Sequence, residues 1–253
     1  MLNLLKSDLY KMRKMTSLYV FNIITVLYNA ITILFVSIIM SDDYTLHFCE
    51  FIQSGTAILP LFAGLFICLF SASEYKHGFI KNTASVVSDK SKIVLSKMVI
   101  LIIFILISLA VYILSGSLFV AVLQNVTFSF EDITVIDSIM HISLQVLFLF
   151  AISMITIALV TVTKSSTFSC TFTVLITSGT VKGIIGTIWL IFTSTEIIPE
   201  SIDISYVFIS HYLSYVSCFG ENKDRLIGLG VAAAYIIVTG VISIFTIRKK
   251  DIR

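Results

Sequence analysis

Apolar and polar positions in this chain come in long blocks with no short alternation. Leu18–Met40 and Phe51–Ser71 carry no charge, and Pro60 lies inside the second. Met98–Gln124 is the most lipid-like stretch. Ile139–Thr163 holds His141 and Gln145 near one end, Ser165–Thr195 holds Lys182, and Leu226–Ile247 closes the series. Blocks of roughly 20 apolar residues have the length of membrane helices. In hydrocarbon every backbone N–H and C=O needs an internal partner, so helices are expected. The alternation of a membrane β-barrel is absent. The expected fold is an all-α membrane protein, one transmembrane domain over residues 1–253 with six transmembrane helices.

Two flanking segments add to this pattern. Residues 1–16 read as an amphipathic helix, with Leu2, Leu5, Leu9 and Met12 set against Lys6, Asp8, Lys11 and Arg13. Such a helix suits a membrane surface. Residues 196–225 include the apolar, aromatic run Ile204–Phe219, with Ser210, Ser214 and Ser217 along one stripe. Its reach of roughly 24 Å as a helix falls short of the ~30 Å hydrocarbon core. It is read as an external interfacial or re-entrant segment of short helices before the last span. The first apolar block is too long for the core of a cleavable signal, and no A-x-A site follows it.

Composition agrees with the blocks. Apolar types make up 57 % and charged types 13 % of the 253 residues, and mean hydropathy is +1.02. Soluble domains carry about twice that share of charge. A soluble fold of this size has too little interior for so much apolar surface. Disordered, collagen-like and disulfide-scaffold classes fail as well.

The net charge of +2 says little, whereas its distribution sets the topology. Lys6, Lys11, Arg13 and Lys14 precede the first block. Lys76, Lys81, Lys90, Lys92 and Lys97 follow the second, Lys164 the fourth, and Arg248, Lys249, Lys250 and Arg253 the sixth. These are 14 of the 17 basic residues, all on one side. Only Lys223 and Arg225 fall on the other, which holds Asp42, Asp43, Glu50, Glu131, Asp132, Asp137, Glu196 and Glu200. The positive-inside rule then makes both termini cytoplasmic.

Catalytic signatures are missing: there is no G-x-x-x-x-G-K-[ST], no H-E-x-x-H and no G-x-S-x-G. His47, His77, His141 and His211 are scattered over different segments, which does not suit a metal cluster. Cys68 and Cys170 fall in spans and read as small packing residues. Cys49 and Cys218 both fall outside, where a disulfide is chemically permitted, though no spacing signature requires one. The loop at 72–97 holds the richest chemistry, with Glu74, Tyr75, Gly78, Phe79 and Lys81 in close succession. It reads equally as a solvated face or as a surface that docks a cytoplasmic protein.

With its basic amphipathic start, two spans, the E-x-x-x-G-x-x-K loop (Glu74, Gly78, Lys81), Ser91-Lys92, Lys97 and four further spans, the chain resembles the permease subunits of ABC-2 type ATP-driven exporters. Among these it is most similar to bacterial lantibiotic-immunity and antimicrobial-peptide export permeases. The resemblance implies a cell-membrane, multi-pass transport subunit that is not itself an enzyme. It implies no cofactor in this chain, with ATP and Mg held by a separate cytoplasmic ABC ATPase, and no nucleic acid. It implies a second permease chain, a homodimer, whose first and fifth spans form the seam and line the path. Glu74, Tyr75, Gly78, Phe79 and Lys81 are then the coupling positions.

Polar residues inside the spans bear on the pathway independently. Lys182 is the only basic residue within a predicted span; a charge at depth is costly, and it either serves the path or snorkels. Gly179 and Gly183 form a G-x-x-x-G around it, with Gly186 beyond, a spacing that suits close helix packing. Asn22 and Asn29, seven apart, share one helical face, where they either line a cavity or bond between helices. The expected cargo is amphipathic or hydrophobic, antimicrobial peptide foremost. Export of lipid, polysaccharide or drug is the alternative, and a non-transporting sensor or scaffold is the rival of a different class. An intramembrane enzyme would need clustered reactive groups at one depth, which the sequence does not offer.

The topology is open to direct test. Single cysteines at Asp43, Ser129 and Ser201 should react with an impermeant reagent from outside, and one at Ser88 only from inside. Outside labelling at Ser88 would overturn it.

Overall fold

The computed structural model describes residues 2–39, 44–76, 90–123, 126–129, 135–194, 204–215 and 222–249. Helix α1 (Leu2–Lys14) leads through a kink at Met15 into α2 (Thr16–Ile39). Strand β1 (Tyr44–His47), α3 (Phe48–Ser54), a 3₁₀ turn at Gly55–Ala57 and α4 (Leu59–Lys76) follow. Then come α5 (Ser91–Val122), β2 (Val126–Ser129), α6 (Val135–Thr163), α7 (Ser166–Thr177) and α8 (Thr180–Ser194). A 3₁₀ turn at Ile204–Val207, α9 (Ile209–Tyr215) and α10 (Asn222–Lys249) complete the described chain.

Four helices, α2, α5, α6 and α10, are each long and apolar enough to cross a membrane alone. Two more candidate spans are broken pairs: α3 with its 3₁₀ turn bends by 44° into α4, and α7 bends by 60° into α8. Each break has a local cause. Pro60 is the second residue of α4, where its missing N–H costs no helical hydrogen bond. Gly179 sits between α7 and α8 at φ +74°, a left-handed conformation that glycine adopts freely. The Gly179–Gly183 spacing therefore does not lie on one continuous helix face. The 16-residue run Ile204–Phe219 contains only short helical pieces where described, α9 having seven residues.

α5, at 32 residues, is about 48 Å long and begins seven residues before the apolar block it contains. Its first turns carry Ser91, Ser96 and Lys97 and pack against α1 at one end of the bundle, here called the α1 end. α2 lies along α5, α10 lies along α6, and α4 packs against both α6 and α7. Between α4 and α5 the rings of Phe66 and Phe104 stack with centroids 4.0 Å apart, and Phe51 of α3 stacks on Tyr112 of α5 at 4.8 Å. α4 and α7 meet where Gly64 leaves room for Thr173. A Cβ at Gly64 would collide with the Thr173 methyl. The Thr173 and Thr156 hydroxyls are 3.0 Å apart there, and the free thiols of Cys68 and Cys170 approach to 2.9 Å. Small side chains and interhelical polar contacts are the usual means of holding helices together in lipid.

One feature was absent from the sequence reading, the strand pair, and one that it left open, a disulfide at Cys49, is present. β1 and β2 pair in parallel at the other end of the bundle, with Tyr44 opposite Val126 and His47 opposite Ser129. The pairing is parallel because each strand leaves a helix of the packed pair α2 and α5 at the same end. Cys49, at the start of α3, is buried and disulfide-bonded; Cys218, its suggested partner, lies outside the described residues.

Candidate functional site

Two polar assemblies stand out, one at each end of the bundle. At the α1 end, Glu74 closes α4 and lies between two lysines. Lys11 of α1 donates a hydrogen bond from Nζ to Glu74 Oε1 at 3.1 Å, and Lys97 Nζ of α5 lies 3.2 Å from Glu74 Oε2. Asp8 Oδ1 is 3.5 Å from Lys11 Nζ, and Asp8 Oδ2 accepts a hydrogen bond from the Ser96 hydroxyl at 2.6 Å. The Tyr75 ring lies beneath Lys97, with Nζ 5.3 Å from its centroid. Lys97 is fully buried, and Glu74 and Asp8 are nearly so. Two carboxylates and two ammoniums sum to zero charge, the condition under which ions survive burial.

α1 supplies Asp8 and Lys11 three residues apart, on one face of a helix. That face packs on α5, so Asp8 is covered although the sequence pattern sets it among exposed charges. Burial pushes the Asp8 carboxyl above its ordinary value; the Ser96 hydrogen bond opposes this and the Glu74 charge adds to it. Burial pulls the Lys11 ammonium down, but Glu74 outweighs it and holds that lysine above its ordinary value.

The second assembly is a cavity of about 530 Å³ where the two broken spans meet. Glu50, Ser54 and Pro60 line it from the first break; Ser178, Gly179 and Lys182 line it from the second. Ile152, near the middle of α6, and Leu213 of α9 complete its walls. An adjoining cavity of about 360 Å³ is apolar, bounded by Ile31, Phe35 and Val36 of α2, Phe51 of α3 and Val126 of β2. Glu50 and Ser54 line both.

The ABC-2 family transporter proteins match residues 4–180 of this chain. The chain belongs to that family. No curated protein and no solved structure matches it. The matched region covers the whole Asp8–Lys11–Glu74–Lys97 network and extends through the second helix break at Gly179. As an ABC-2 permease the chain is a multi-pass membrane subunit of a transporter, and such permeases work with a cytoplasmic ATPase.

The residues singled out in the sequence fall in three places in this permease. Glu74 and Tyr75 belong to the buried network, while Gly78, Phe79 and Lys81 lie outside the described residues. Lys182 and Gly179 line the cavity at the breaks. Gly183 and Gly186 are on α8, and a Cβ at either would meet nothing within 4 Å. Asn29 is fully buried and bonds between helices, donating from Nδ2 to the Tyr112 carbonyl at 2.8 Å and to the Ser115 hydroxyl at 2.7 Å. Asn22 donates to the Leu18 carbonyl of its own helix at 2.7 Å. Neither asparagine lines the two cavities.

Besides Lys182, two basic residues are buried in long helices just outside the predicted spans. Lys97 sits in α5 and Arg225 in α10, both buried. Asp8, Lys11 and Lys97 are the network members that sequence reasoning missed, since nothing local separates a buried charge from one on a basic surface. Glu50 was missed too, counted only as one of several external acids.

The network predicts a stability pattern. Lys97→Ala leaves Glu74 half-neutralised in a dry site, and removing one partner of a buried pair costs about 3–5 kcal/mol. Unfolding in mixed micelles should show that loss, and a change below about 1 kcal/mol, the range of surface pairs, would reject it. Asp8, held above its ordinary value of 3.8, favours its protonated form in the fold. Its contribution is therefore complete below about pH 3.8 and is lost as the pH rises through its folded value. Asp8→Asn should thus gain stability relative to the unmodified chain between about pH 4 and pH 7. An equal difference at both would refute the assignment.

Proposed function

We propose that this chain is the membrane-spanning half-unit of an ATP-driven exporter that moves amphipathic or hydrophobic compounds out of the cell or membrane, antimicrobial peptides foremost. The observation that carries the reading is the buried ion network at the α1 end. It ties α1, α4 and α5 together at the root of the segment 77–89, which separates α4 from α5. In this proposal the α1 end is cytoplasmic, the chain crosses six times, and that segment seats the ATPase. Glu74 anchors the base of the seat and passes ATPase movement to α1 and α5.

Two copies pair through α2 and the α7–α8 span. Exposed apolar side chains along α2, among them Ile23, Leu27, Ile31 and Phe35, support this, as do the open glycines of α8. Access then alternates by rigid movement of the halves, a two-state change biased by nucleotide. A second reading, export of a lipid or drug, is favoured by the 530 Å³ cavity, which falls in the ~300–1,000 Å³ range of small-molecule pockets.

Co-reconstitution with a cognate ABC ATPase tests the proposal. A cationic amphipathic antimicrobial peptide should stimulate ATP hydrolysis and leave the vesicle membrane in an ATP-dependent way. Glu74→Ala should still insert but lower that stimulation at least about fivefold, the low end of ordinary coupling energies. No stimulation by peptide, lipid or drug would favour a sensor or scaffold; unchanged assembly and stimulation in Glu74→Ala would remove Glu74 from coupling.

A further inference from the structure

Each of the two helix breaks interrupts a candidate span, and both open on the same cavity of about 530 Å³. Irregular backbone at membrane depth is tolerated where it lines a cavity, and broken helices commonly mark binding sites in transporters. The cavity receives one carboxylate, Glu50, and one ammonium, Lys182, both from a single chain. Among the described residues neither is ion-paired, so their charged ends do not meet across the space. A ligand with one charge of each sign, at its two ends, satisfies both and leaves the cavity neutral.

The polar groups around the cavity sort the two ends. Ser54 donates its hydroxyl proton to the Phe51 carbonyl at 2.7 Å, and Thr56 donates to the Gln53 carbonyl at 2.6 Å. Their remaining lone pairs, with the Glu50 carboxylate, make the first break a set of acceptors. Such a set takes an ammonium, which has donors only. The second break supplies the opposite partner. Lys182 has donors only, and Gly179, which also lines the cavity, directly precedes α8. The first-turn N–H groups of α8 and its positive dipole end therefore lie on the Lys182 side, which takes a carboxylate. A compact space of about 530 Å³ is roughly 10 Å across, the reach of about three residues of extended chain. Ala57, Pro60, Ile152 and Leu213 supply apolar wall for small side chains.

We propose that this cavity binds a short zwitterionic peptide of about three residues by its two free ends. The amino terminus lies at Glu50, Ser54 and Thr56, and the carboxylate lies at Lys182 and the start of α8. The adjoining apolar cavity takes no part. The ligand differs from the cargo proposed above in being short and recognised by its ends, and the site rests on the export reading only for where the peptide goes.

The test uses the full chain in uncharged maltoside micelles, without an ATPase. It measures binding of tritiated trialanine by scintillation proximity, with other ligands as competitors. Trialanine should saturate at one per chain. N-acetyl-trialanine, which lacks the ammonium, and trialanine amide, which lacks the carboxylate, should each bind about tenfold or more weakly, the worth of one hydrogen bond to a charged group. Free alanine, too short to span the site, should be weaker by a similar factor. In Glu50→Gln the acetyl cap should cost nothing further while the amide still does, and in Lys182→Met the reverse should hold. A merely structural role for either residue would weaken all these ligands alike. Glu50 is exposed, so Glu50→Gln keeps the fold, and that variant with the two capped peptides decides the matter if Lys182→Met fails to fold.

Absence of one-per-chain saturation would overturn the site. Equal binding of either capped peptide would overturn recognition by both ends, and equal binding of alanine would overturn the length. A Glu50→Gln variant that still discriminates against the acetyl cap would overturn the assigned orientation. Export of the amphipathic peptide can fail with this binding intact, and this binding can fail with that export intact, so the two proposals are judged separately.

Discussion

Glu74 is a carboxylate almost without water, and it stays ionised there only because two ammoniums close on it. Each lysine comes from a different helix, so neutralising one charge fixes three elements at once. Replacing water around ions requires good geometry from every partner. The positions of α1 against α5 and of α4 against both follow from that requirement. Asp8 adds to the joint by lying 3.5 Å from Lys11 and accepting the Ser96 hydrogen bond. Such a joint is rigid because no single member can leave without exposing the charge of another.

A different constraint governs the middle of the bundle. Hydrocarbon penalises unpaired backbone groups, yet two candidate spans are interrupted. Both interruptions face the cavity that holds Glu50 and Lys182, where polar side chains and water-accessible space are gathered. Around it the helices are held by means that need no hydrophobic driving force. Gly64 admits Thr173, Thr156 meets Thr173, and Asn29 reaches the backbone of α5. Stacked rings such as Phe66 and Phe104 fill the remaining space between α4 and α5.

What the sequence discloses follows the range of the forces concerned. The apolar blocks were legible because membrane helices are set by local hydropathy over some twenty residues. Gly179 was read as part of a packing motif and Pro60 only as a residue inside an apolar block, and the structure breaks beside each. The strand pair was not legible: β1 and β2 are four residues each and separated by two candidate spans, so neither carries a pattern long enough to read. The same holds for charges. Glu74 drew attention by its spacing to Gly78 and Lys81, but its partners Lys11 and Lys97 come from other helices. Glu50 looked like ordinary external acidity until the second break brought Lys182 to the same cavity.

The parallel strands carry a mechanical consequence. β1 extends from α2 and β2 from α5, and their ladder fixes Tyr44 against Val126 through His47 against Ser129. A strand ladder resists sliding along its length, because a shift of one residue breaks its hydrogen bonds and turns each side chain to the opposite face. Asn29 adds a second fastening lower down the same two helices. Helices α2 and α5 therefore cannot pass one another like pistons. Whatever tilts one must carry the other with it, as two staves nailed at one end and again partway along turn together as a plank.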